Sequence, residues 1–328
     1  MLSRWKPRHW NSNQVQGVCF ALLSAAALGL APTLGKQAIN AGTPPLTVVT
    51  LRTLLAVAVL WTAYTLLWRK YLYIYPVGLA GCLTAGLFNG LGSLMYYGGL
   101  GRLDASLAQL LYTLYPIFLT LFSRLDGHPV SRFTWGRTAI ALAAVYLLTG
   151  TGQAKPDLLG ALLMVGAGAM YAAHLLVNQR VLFDMPAQTV TLYTLTAMSV
   201  TVGVAYLLGG LPVMPPTLPA WEAVLWLTLV TVISRLALFV GVKRLGGLQT
   251  ALLGLSELLI TVVSAQVLLG DRLSSTQWLG AGLLAASVLL VVREKGLGVL
   301  PEPKPWLQIL AARFTQPAPP RPTPDTRD

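Results

Sequence analysis

Two charged residues stand alone in the middle of apolar stretches near the end of the chain. Arg235 lies 11 residues before Gly246, in the short loop 243–247, and Glu257 lies 11 residues after it. If both stretches are helices, a rise of about 1.5 Å per residue puts both side chains about 16 Å from the loop. That depth is near the middle of a hydrocarbon core about 30 Å thick. The sequence therefore predicts opposite charges at one depth inside a membrane.

A charge at this depth needs a partner or a water-filled cavity, because inserting it costs at least about 2.5 to 3.5 kcal/mol. Polar or small residues accompany both charges at steps of three and four: Thr228 and Thr231 with Arg235, and Thr250, Gly254, Thr261 and Ser264 with Glu257. Such spacing places each set on one helix face. The pattern favours a lined cavity, and the alternative is a buried structural ion pair.

The composition indicates that membrane helices hold these residues. The chain has 328 residues, of which 55% are hydrophobic and only 10% charged, and its mean hydropathy is +0.65. A soluble domain usually has about 25% charged residues. The formal net charge of +12 comes from basic residues spread over short loops, so nucleic acid is not an expected partner. The chain is predicted to be an all-α integral membrane protein.

Ten apolar segments are long enough to span a bilayer as helices. They are 15–35, 46–68, 75–98, 104–122, 134–150, 158–177, 188–208, 221–241, 247–269 and 275–292. Residues 1–14 form a short leading segment. Residues 296–328 are rich in proline, and we expect them to be disordered. Cys19 and Cys82 fall inside predicted helices and make no disulfide framework.

The distribution of basic residues predicts the orientation. With the N-terminus in the cytoplasm, only Lys36, Arg102, Lys155 and Arg272 of the 23 lysines and arginines lie outside. Seventeen lie inside, and Arg52 and Arg235 lie within spans. This bias follows the positive-inside rule. Both termini are therefore expected in the cytoplasm.

The sequence also repeats itself. Residues 101–103 resemble residues 243–245 at an offset of about 142, and Gly17 corresponds to Gly160 at nearly the same offset. The matches predict two five-helix halves, 15–151 and 152–295. Because five is odd, the second half must enter the membrane in the opposite sense. Two inverted repeats are the architecture of secondary transporters, with the substrate near the midplane.

Several features together make the chain resemble the EamA-type carriers of the drug/metabolite transporter superfamily, over residues 15 to 293. They are the two halves, Lys36 after the first segment, Arg52 in the second, the stretch Tyr97 to Pro116, and Asp126 and Asp271 closing the fourth and ninth segments. The resemblance implies a polytopic carrier of the inner (plasma) membrane, often an exporter of amino acids, other metabolites or toxic compounds. It also implies that the first, third, fourth, sixth, eighth and ninth helices line the pathway. The chain departs from the family in lacking the proline of the ninth helix.

Nine residues are candidate substrate contacts: Asn89, Ser93, Gln109, Tyr112, Tyr115, Tyr171, His174, Arg235 and Glu257. Tyrosine rings can stack on a substrate and bond its polar group. The alternatives are an interhelical hydrogen bond for Asn89, ordinary packing for the tyrosines and a satisfied packing histidine for His174. Clusters with ligand spacing and catalytic motifs are absent from the sequence, so no metal, cofactor or catalytic residue is expected.

Three further residues carry structural expectations. Arg52, about six residues inside its segment, should reach the outer interface or, as the resemblance implies, anchor a structural bond. Pro116 should kink the fourth helix because it lacks a backbone N–H. Gly86, with Gly90 four residues on, should mark close helix packing.

These features predict a secondary carrier that works by alternating access, as a monomer or a homodimer. For a zwitterionic metabolite such as an amino acid, Arg235 suits the carboxylate and Glu257 the ammonium group. One alternative is a proton-coupled exporter of cationic drugs, in which Glu257 carries the proton. An alternative of another class is a membrane scaffold that transports nothing. The expected partners are a small-molecule substrate, the lipid bilayer and, in the first alternative, protons.

Overall fold

The computed structural model describes residues 12–125, 157–210, 213–245 and 256–289, with isolated positions between 136 and 147 and between 250 and 254. Every regular element in these ranges is helical. Residues 1–11, Asp126, most of the predicted span 134–150 and the tail 296–328 lie outside the described residues. Predictions that rest on those parts stay predictions.

The described residues form ten α-helices and one 3₁₀ turn, Arg69–Tyr71. The helices are α1 (Ser12–Asn40), α2 (Pro45–Leu66), α3 (Pro76–Leu100), α4 (Ala105–Tyr112), α5 (Tyr115–Leu125), α6 (Leu158–Asp184), α7 (Ala187–Leu208), α8 (Leu218–Leu245), α9 (Ser256–Leu268) and α10 (Ser275–Leu289). Six of them, α1 to α3 and α6 to α8, are long and apolar enough to cross a membrane. Helices α4 and α5 together occupy the predicted fourth span.

Local sequence sets where several helices begin. Proline occupies the first turn of α2 at Pro45 and of α3 at Pro76, where its missing N–H has no intrahelical partner to lose. Asp157 caps α6, because its side chain accepts a 2.9 Å hydrogen bond from the backbone N–H of Gly160. Gly42 turns the chain between α1 and α2 with φ +93°, a conformation that favours glycine.

The helices pack in reciprocal pairs across the two halves of the chain. Helix α1 lies along α8 and α9, and α6 lies along α3 and the α4/α5 pair. Helix α3 packs on α7 as α8 packs on α2. Exchanging α1 with α6, α2 with α7, α3 with α8 and α4/α5 with α9 maps each of these contacts onto its counterpart. Two equivalent halves facing each other would give this pattern.

Close packing of α3 on α7 depends on two glycines. A Cβ atom at Gly86 would lie 2.3 Å from the Cβ of Ala197 and 2.6 Å from the carbonyl oxygen of Thr194. A Cβ atom at Gly90 would lie 2.6 Å from the Cβ of Thr201. The predicted close-packing role of this pair is confirmed. In a bilayer, such intimate van der Waals contact is a main source of helix association.

The predicted fourth span is broken at residues 113–114. Leu114 N donates to Leu111 O at 3.3 Å and Ile117 N donates to Leu114 O at 2.9 Å, so the chain makes 3₁₀-type bonds here. Pro116 follows in the first turn of α5, where its lack of an N–H is tolerated. The helix is interrupted just before Pro116, where the sequence predicted a kink. Tyr112 and Tyr115 flank the break.

Candidate functional site

A small cavity lies between the two halves, and side chains from seven helices line it. They are Leu28, Ala31, Arg52, Asn89, Gly92, Ser93, Tyr96, Tyr97, Gln109, Tyr112, Ala167, Tyr171, Arg235 and Glu257. Its volume is about 50 Å³, whereas pockets that hold small molecules usually measure about 300 to 1,000 Å³. The protein is therefore contracted around this site.

Glu257 lies in the first turn of α9 and is only 4% exposed. Gln109 of α4 donates from Nε2 to its Oε1 atom at 2.8 Å. The Tyr96 hydroxyl donates to Oε1 of the same glutamine at 3.0 Å. A hydrogen bond to a charged acceptor is stronger than one between neutral groups. The carboxylate is thus held by a chain of neutral donors, and it has no ion-pair partner in the part of the chain that the structure describes.

Arg235 is 5% exposed and lies over the Tyr171 ring, with its guanidinium carbon 5.5 Å from the ring centroid. Its Nε and Nη1 atoms are buried and have no hydrogen-bond partner among the described residues. The ion pair found among the described residues joins Arg102 and Asp157, whose Nη1 and Oδ2 atoms are 3.1 Å apart. Arg235 and Glu257 therefore line one cavity without an ion pair between them, and the structural ion-pair alternative is wrong for this conformation.

Arg52 also lines the cavity and is only 6% exposed. Its Nη1 atom donates to Thr231 Oγ1 at 3.2 Å and its Nη2 atom donates to Ser93 Oγ at 3.4 Å. The guanidinium carbon lies 4.8 Å from the centroid of the Tyr97 ring. The expectation that Arg52 reaches the outer interface is wrong, because polar groups on α3 and α8 hold it inside. The structural bond implied by the family resemblance is present.

Tyrosines form one wall of the site, around the break between α4 and α5. The ring centroids of Tyr112 and Tyr171 are 5.5 Å apart, and those of Tyr115 and Tyr171 are 5.0 Å apart. Tyr115 lies beside the main cavity rather than in it. With Tyr171 and Glu257 it lines a smaller adjoining cavity of about 10 Å³. The break in the fourth span thus turns two tyrosines toward the carboxylate.

Asn89 and His174 make mainly structural contacts. Asn89 lines the cavity but donates to the sulfur of Met198 on α7 at 3.2 Å. His174 is fully buried, with Nδ1 3.0 Å from the Ala85 carbonyl oxygen, and its ring stacks on Tyr171 with centroids 5.6 Å apart. His174 is not among the residues that line either cavity. The arrangement is that of a packing histidine, and direct substrate contact by His174 stays a prediction.

The polar stripe predicted on the ninth helix faces the cavity only in part. Thr261 donates to the Gly29 carbonyl oxygen at 2.7 Å, and Ser264 bonds the Thr33 hydroxyl at 2.7 Å. Both contacts tie α9 to α1. The expectation that the whole stripe lines a cavity is therefore wrong for Thr261 and Ser264, because their hydroxyl groups form hydrogen bonds with α1.

Polar contacts tie the helices together at one end of the site. Asp271, after α9, accepts from the backbone N–H of Ser106 at 3.0 Å and from its hydroxyl at 3.1 Å. Lys36, near the end of α1, donates to the carbonyl oxygens of Leu100 and Leu103 at 2.9 and 2.8 Å. These bonds join α1, the α3–α4 connection and the segment after α9.

Other polar contacts tie the opposite end. Lys243, in the last turn of α8, donates to the Met185 carbonyl oxygen at 2.7 Å. Arg244 donates to the Gln16 side chain near the start of α1. These bonds join α8 to the connection between α6 and α7 and to the start of α1.

The sequence model of the EamA-like transporter family matches this chain twice, over residues 15–150 and 158–293. The chain belongs to the EamA-like transporter family. The two matches cover most of the chain and show an internal duplication, in agreement with the reciprocal packing. The protein is a membrane transporter and, as the family membership shows, not an enzyme.

Relatives of this EamA-like protein extend over most of its length. It is 24% identical over 283 residues to "Uncharacterized transporter YcbK" of Bacillus subtilis (strain 168), covering 81% of this chain and 89% of the relative. It is 24% identical over 259 residues to "Uncharacterized inner membrane transporter YedA" of Escherichia coli (strain K12), with 77% and 83% covered. A solved crystal structure shares the fold with a TM-score of 0.58 at 21% identity, covering 86% of this chain and 96% of the other.

Two residues of the EamA-like site were missed as cavity contacts by the sequence reasoning. Arg52 was expected to reach the outer interface or to anchor a structural bond, and Ser93 and Thr231 on the predicted polar faces were the signal that could have placed it in the cavity. Tyr96 was not singled out. Its hydrogen bond to Gln109 joins two helices, and the spacing of residues in the sequence does not determine how those helices are rotated relative to each other. The remaining cavity residues with polar side chains were among the candidates or, like Tyr97, in the stretch that carried the resemblance.

Proposed function

We propose that this EamA-like transporter exports small zwitterionic metabolites, amino acids or compounds like them, across the inner membrane by alternating access. One observation carries the proposal: Arg235 and Glu257 line a single buried cavity without pairing with each other. A buried charge left without a counterion is costly in a membrane. A substrate with a carboxylate and an ammonium group would satisfy both, through charge-assisted hydrogen bonds.

The proposed architecture is ten spans in two inverted five-span halves. The double family match and the reciprocal helix pairs support the duplication. The odd number of predicted spans in each half and the distribution of basic residues support the inversion, with both termini in the cytoplasm. The description of YedA as an inner membrane transporter supports the inner membrane as the location. A site near the midplane between inverted repeats is the arrangement of secondary transporters.

Alternating access requires the contracted site to open toward one side at a time. A cavity of about 50 Å³ is too small for an amino acid, so the halves must separate when substrate enters or leaves. In the proposed orientation, the contacts of Lys36 and Asp271 close the outer side, and those of Lys243 and Arg244 close the cytoplasmic side. Export then consists of breaking the inner contacts, loading the substrate, re-forming the inner contacts and breaking the outer ones.

A second candidate function is proton-coupled export of cationic drugs. The observation that favours it is the hydrogen bonding of Glu257, whose carboxylate accepts from the neutral Gln109 amide and has no ion-pair partner among the described residues. Such a carboxyl group can exchange a proton for a cationic substrate. The two candidates differ in whether protons move against the substrate.

Counterflow in proteoliposomes tests both candidates. The purified protein should exchange radiolabelled amino acids, and Arg235→Gln and Glu257→Gln should each reduce exchange about tenfold or more because each loses a charged hydrogen bond. Glu222→Gln, at an exposed position, is the matched control and should keep wild-type exchange. Exchange that is independent of pH supports a facilitator of zwitterions. Movement of a lipophilic cation such as ethidium, with opposite movement of protons and without amino-acid exchange, supports the second candidate.

A further inference from the structure

The cavity holds more positive than negative charge. Arg52, Arg235 and Glu257 all line it, and each is at least nine-tenths buried. Neither arginine has a carboxylate partner within ion-pair distance among the described residues. Two guanidinium groups therefore face one carboxylate in a part of the protein that is shielded from water. An excess charge in such a place is strongly unfavourable unless a ligand balances it.

Each guanidinium also keeps hydrogen-bond donors free. Nε of Arg52 and Nε and Nη1 of Arg235 are buried without partners in the described part of the chain. The bonds that Arg52 does make go to the hydroxyl groups of Ser93 and Thr231, which orient the guanidinium without neutralising it. Buried charged donors left unsatisfied cost more than neutral ones. The free donors therefore point to a ligand that supplies acceptor atoms to both arginines.

The two arginines share one wall of the site. Thr231, which accepts from Arg52, lies one helical turn before Arg235 on α8. Side chains four residues apart on a helix are neighbours, with Cβ atoms about 5 to 6 Å apart. One small substrate can therefore reach both guanidinium groups. Glu257 enters the same cavity from α9 and is held by Gln109 on α4.

We propose, on the basis of the transport function above, that the substrate is a dicarboxylic amino acid or a metabolite with the same pattern of two acid groups and one ammonium group. One carboxylate binds Arg235, the second binds Arg52, and the ammonium group binds Glu257. The loaded site then carries no net charge. A neutral amino acid would leave one positive charge in the membrane interior, and a cationic substrate would leave two, so both are disfavoured.

Competition between L-glutamate and L-glutamine tests the proposal, because the two differ by one charge and hardly in shape. In counterflow with purified protein in proteoliposomes, the wild type should prefer glutamate by about tenfold or more, as expected for a charged hydrogen bond. Arg52→Gln should lower this preference by a similar factor. Arg52→Lys should keep part of the preference. Arg69→Gln, an exposed arginine outside the cavity, is the matched control and should leave the ratio unchanged.

The glutamate-to-glutamine ratio does not depend on how much of a variant folds, which separates specificity from structural damage. A second measurement uses only the wild type: glutamate should raise its melting temperature more than glutamine does, because ligands stabilise the state that they bind. Equal or greater preference for glutamine in the wild type overturns the proposal. So does an Arg52→Gln variant that exchanges both compounds in the wild-type ratio.

Failure of this inference and failure of the proposed function give different results. Exchange of neutral amino acids without glutamate overturns the dicarboxylic substrate and leaves amino-acid transport intact. No counterflow of any amino acid by protein that is monodisperse and inserted overturns the proposed function, and this inference with it.

Discussion

The amide nitrogen of Gln109 lies 2.8 Å from a carboxylate oxygen of Glu257 and donates a hydrogen bond to it across the contact between α4 and α9. The two residues are 148 positions apart in the chain. Since Gln109 also accepts from Tyr96, its amide cannot rotate without losing a bond. A residue of the first half therefore orients the acidic group of the second half.

Gln109→Leu should destabilise the protein and impair transport. The variant leaves a buried carboxylate without this donor, at a cost of about 1 to 3 kcal/mol, and lets Glu257 turn away from the substrate. The melting temperature in detergent and the counterflow rate should both fall. Gln188→Leu, at a half-buried position outside the cavity, should change neither. Unchanged melting and counterflow in Gln109→Leu would show that Glu257 is oriented by other groups.

Asp271→Asn should make the site more accessible from the side on which Asp271 lies. Asp271 binds the backbone and hydroxyl of Ser106 at the start of α4, and a carboxylate is favoured at a helix N-terminus. Removing its charge weakens this tie. With Cys19 and Cys82 replaced by alanine, a cysteine introduced at the cavity residue Ala31 should react several-fold faster with a membrane-impermeant maleimide.

The control for this labelling is Asp184→Asn, an exposed aspartate at the end of α6. It removes the same charge without touching the Ser106 contact, so its labelling rate should equal that of the parent. An Asp271→Asn variant that labels no faster than Asp184→Asn would mean that the Ser106 contact does not limit opening.

Gly86→Ala should be far more damaging than Gly203→Ala. At Gly86 the new methyl group would overlap the Thr194 carbonyl oxygen and the Ala197 side chain on α7, whereas no atom lies within 4 Å of the corresponding position at Gly203. Overpacking of this kind costs about 1 to 3 kcal/mol, and alanine at an open helical position is neutral or favourable by up to about 1 kcal/mol. Thermal unfolding of both variants measures the difference. Equal melting temperatures would contradict the close packing of α3 on α7.

Asp157 should make stability sensitive to acid. Its bonds from the Gly160 backbone N–H and from Arg102 hold the pKa of this carboxyl below its usual value of 3.8. Above that value the carboxylate is ionised in both the folded and unfolded states, and its stabilisation is fully present. As the pH falls, the unfolded state binds a proton first, so the stabilisation is lost as the pH drops through the folded pKa.

Melting curves between about pH 5 and pH 3 measure this loss, because that range brackets the usual pKa of an aspartate. The melting temperature of the wild type should fall more steeply than that of Asp157→Asn. Asp104→Asn is the control: Asp104 also precedes a helix but makes no side-chain capping bond, so this variant should keep the wild-type slope. Parallel slopes for the wild type and Asp157→Asn would refute the role of the cap.

Much of the fold was predictable because its causes are local. Apolar runs of about 20 residues must form helices in a bilayer, since the backbone has no other partners there. Counting the helical rise put Arg235 and Glu257 at one depth, and both line one cavity. The consequence of Pro116 was likewise predictable, because a missing N–H breaks a helix wherever its neighbours lie.

Contacts between helices were beyond the reach of spacing and composition. Whether Arg52 snorkels outward or turns inward depends on Ser93 and Thr231, which come from two other helices. The hydrogen bond from Gln109 to Glu257 depends on how each helix is rotated against its neighbours. So does the position of His174, which stacks on Tyr171 and lines neither cavity. Periodicity places a residue on a face, but only the assembled bundle determines what that face meets, because side-chain hydrogen bonds act over a few ångströms in three dimensions.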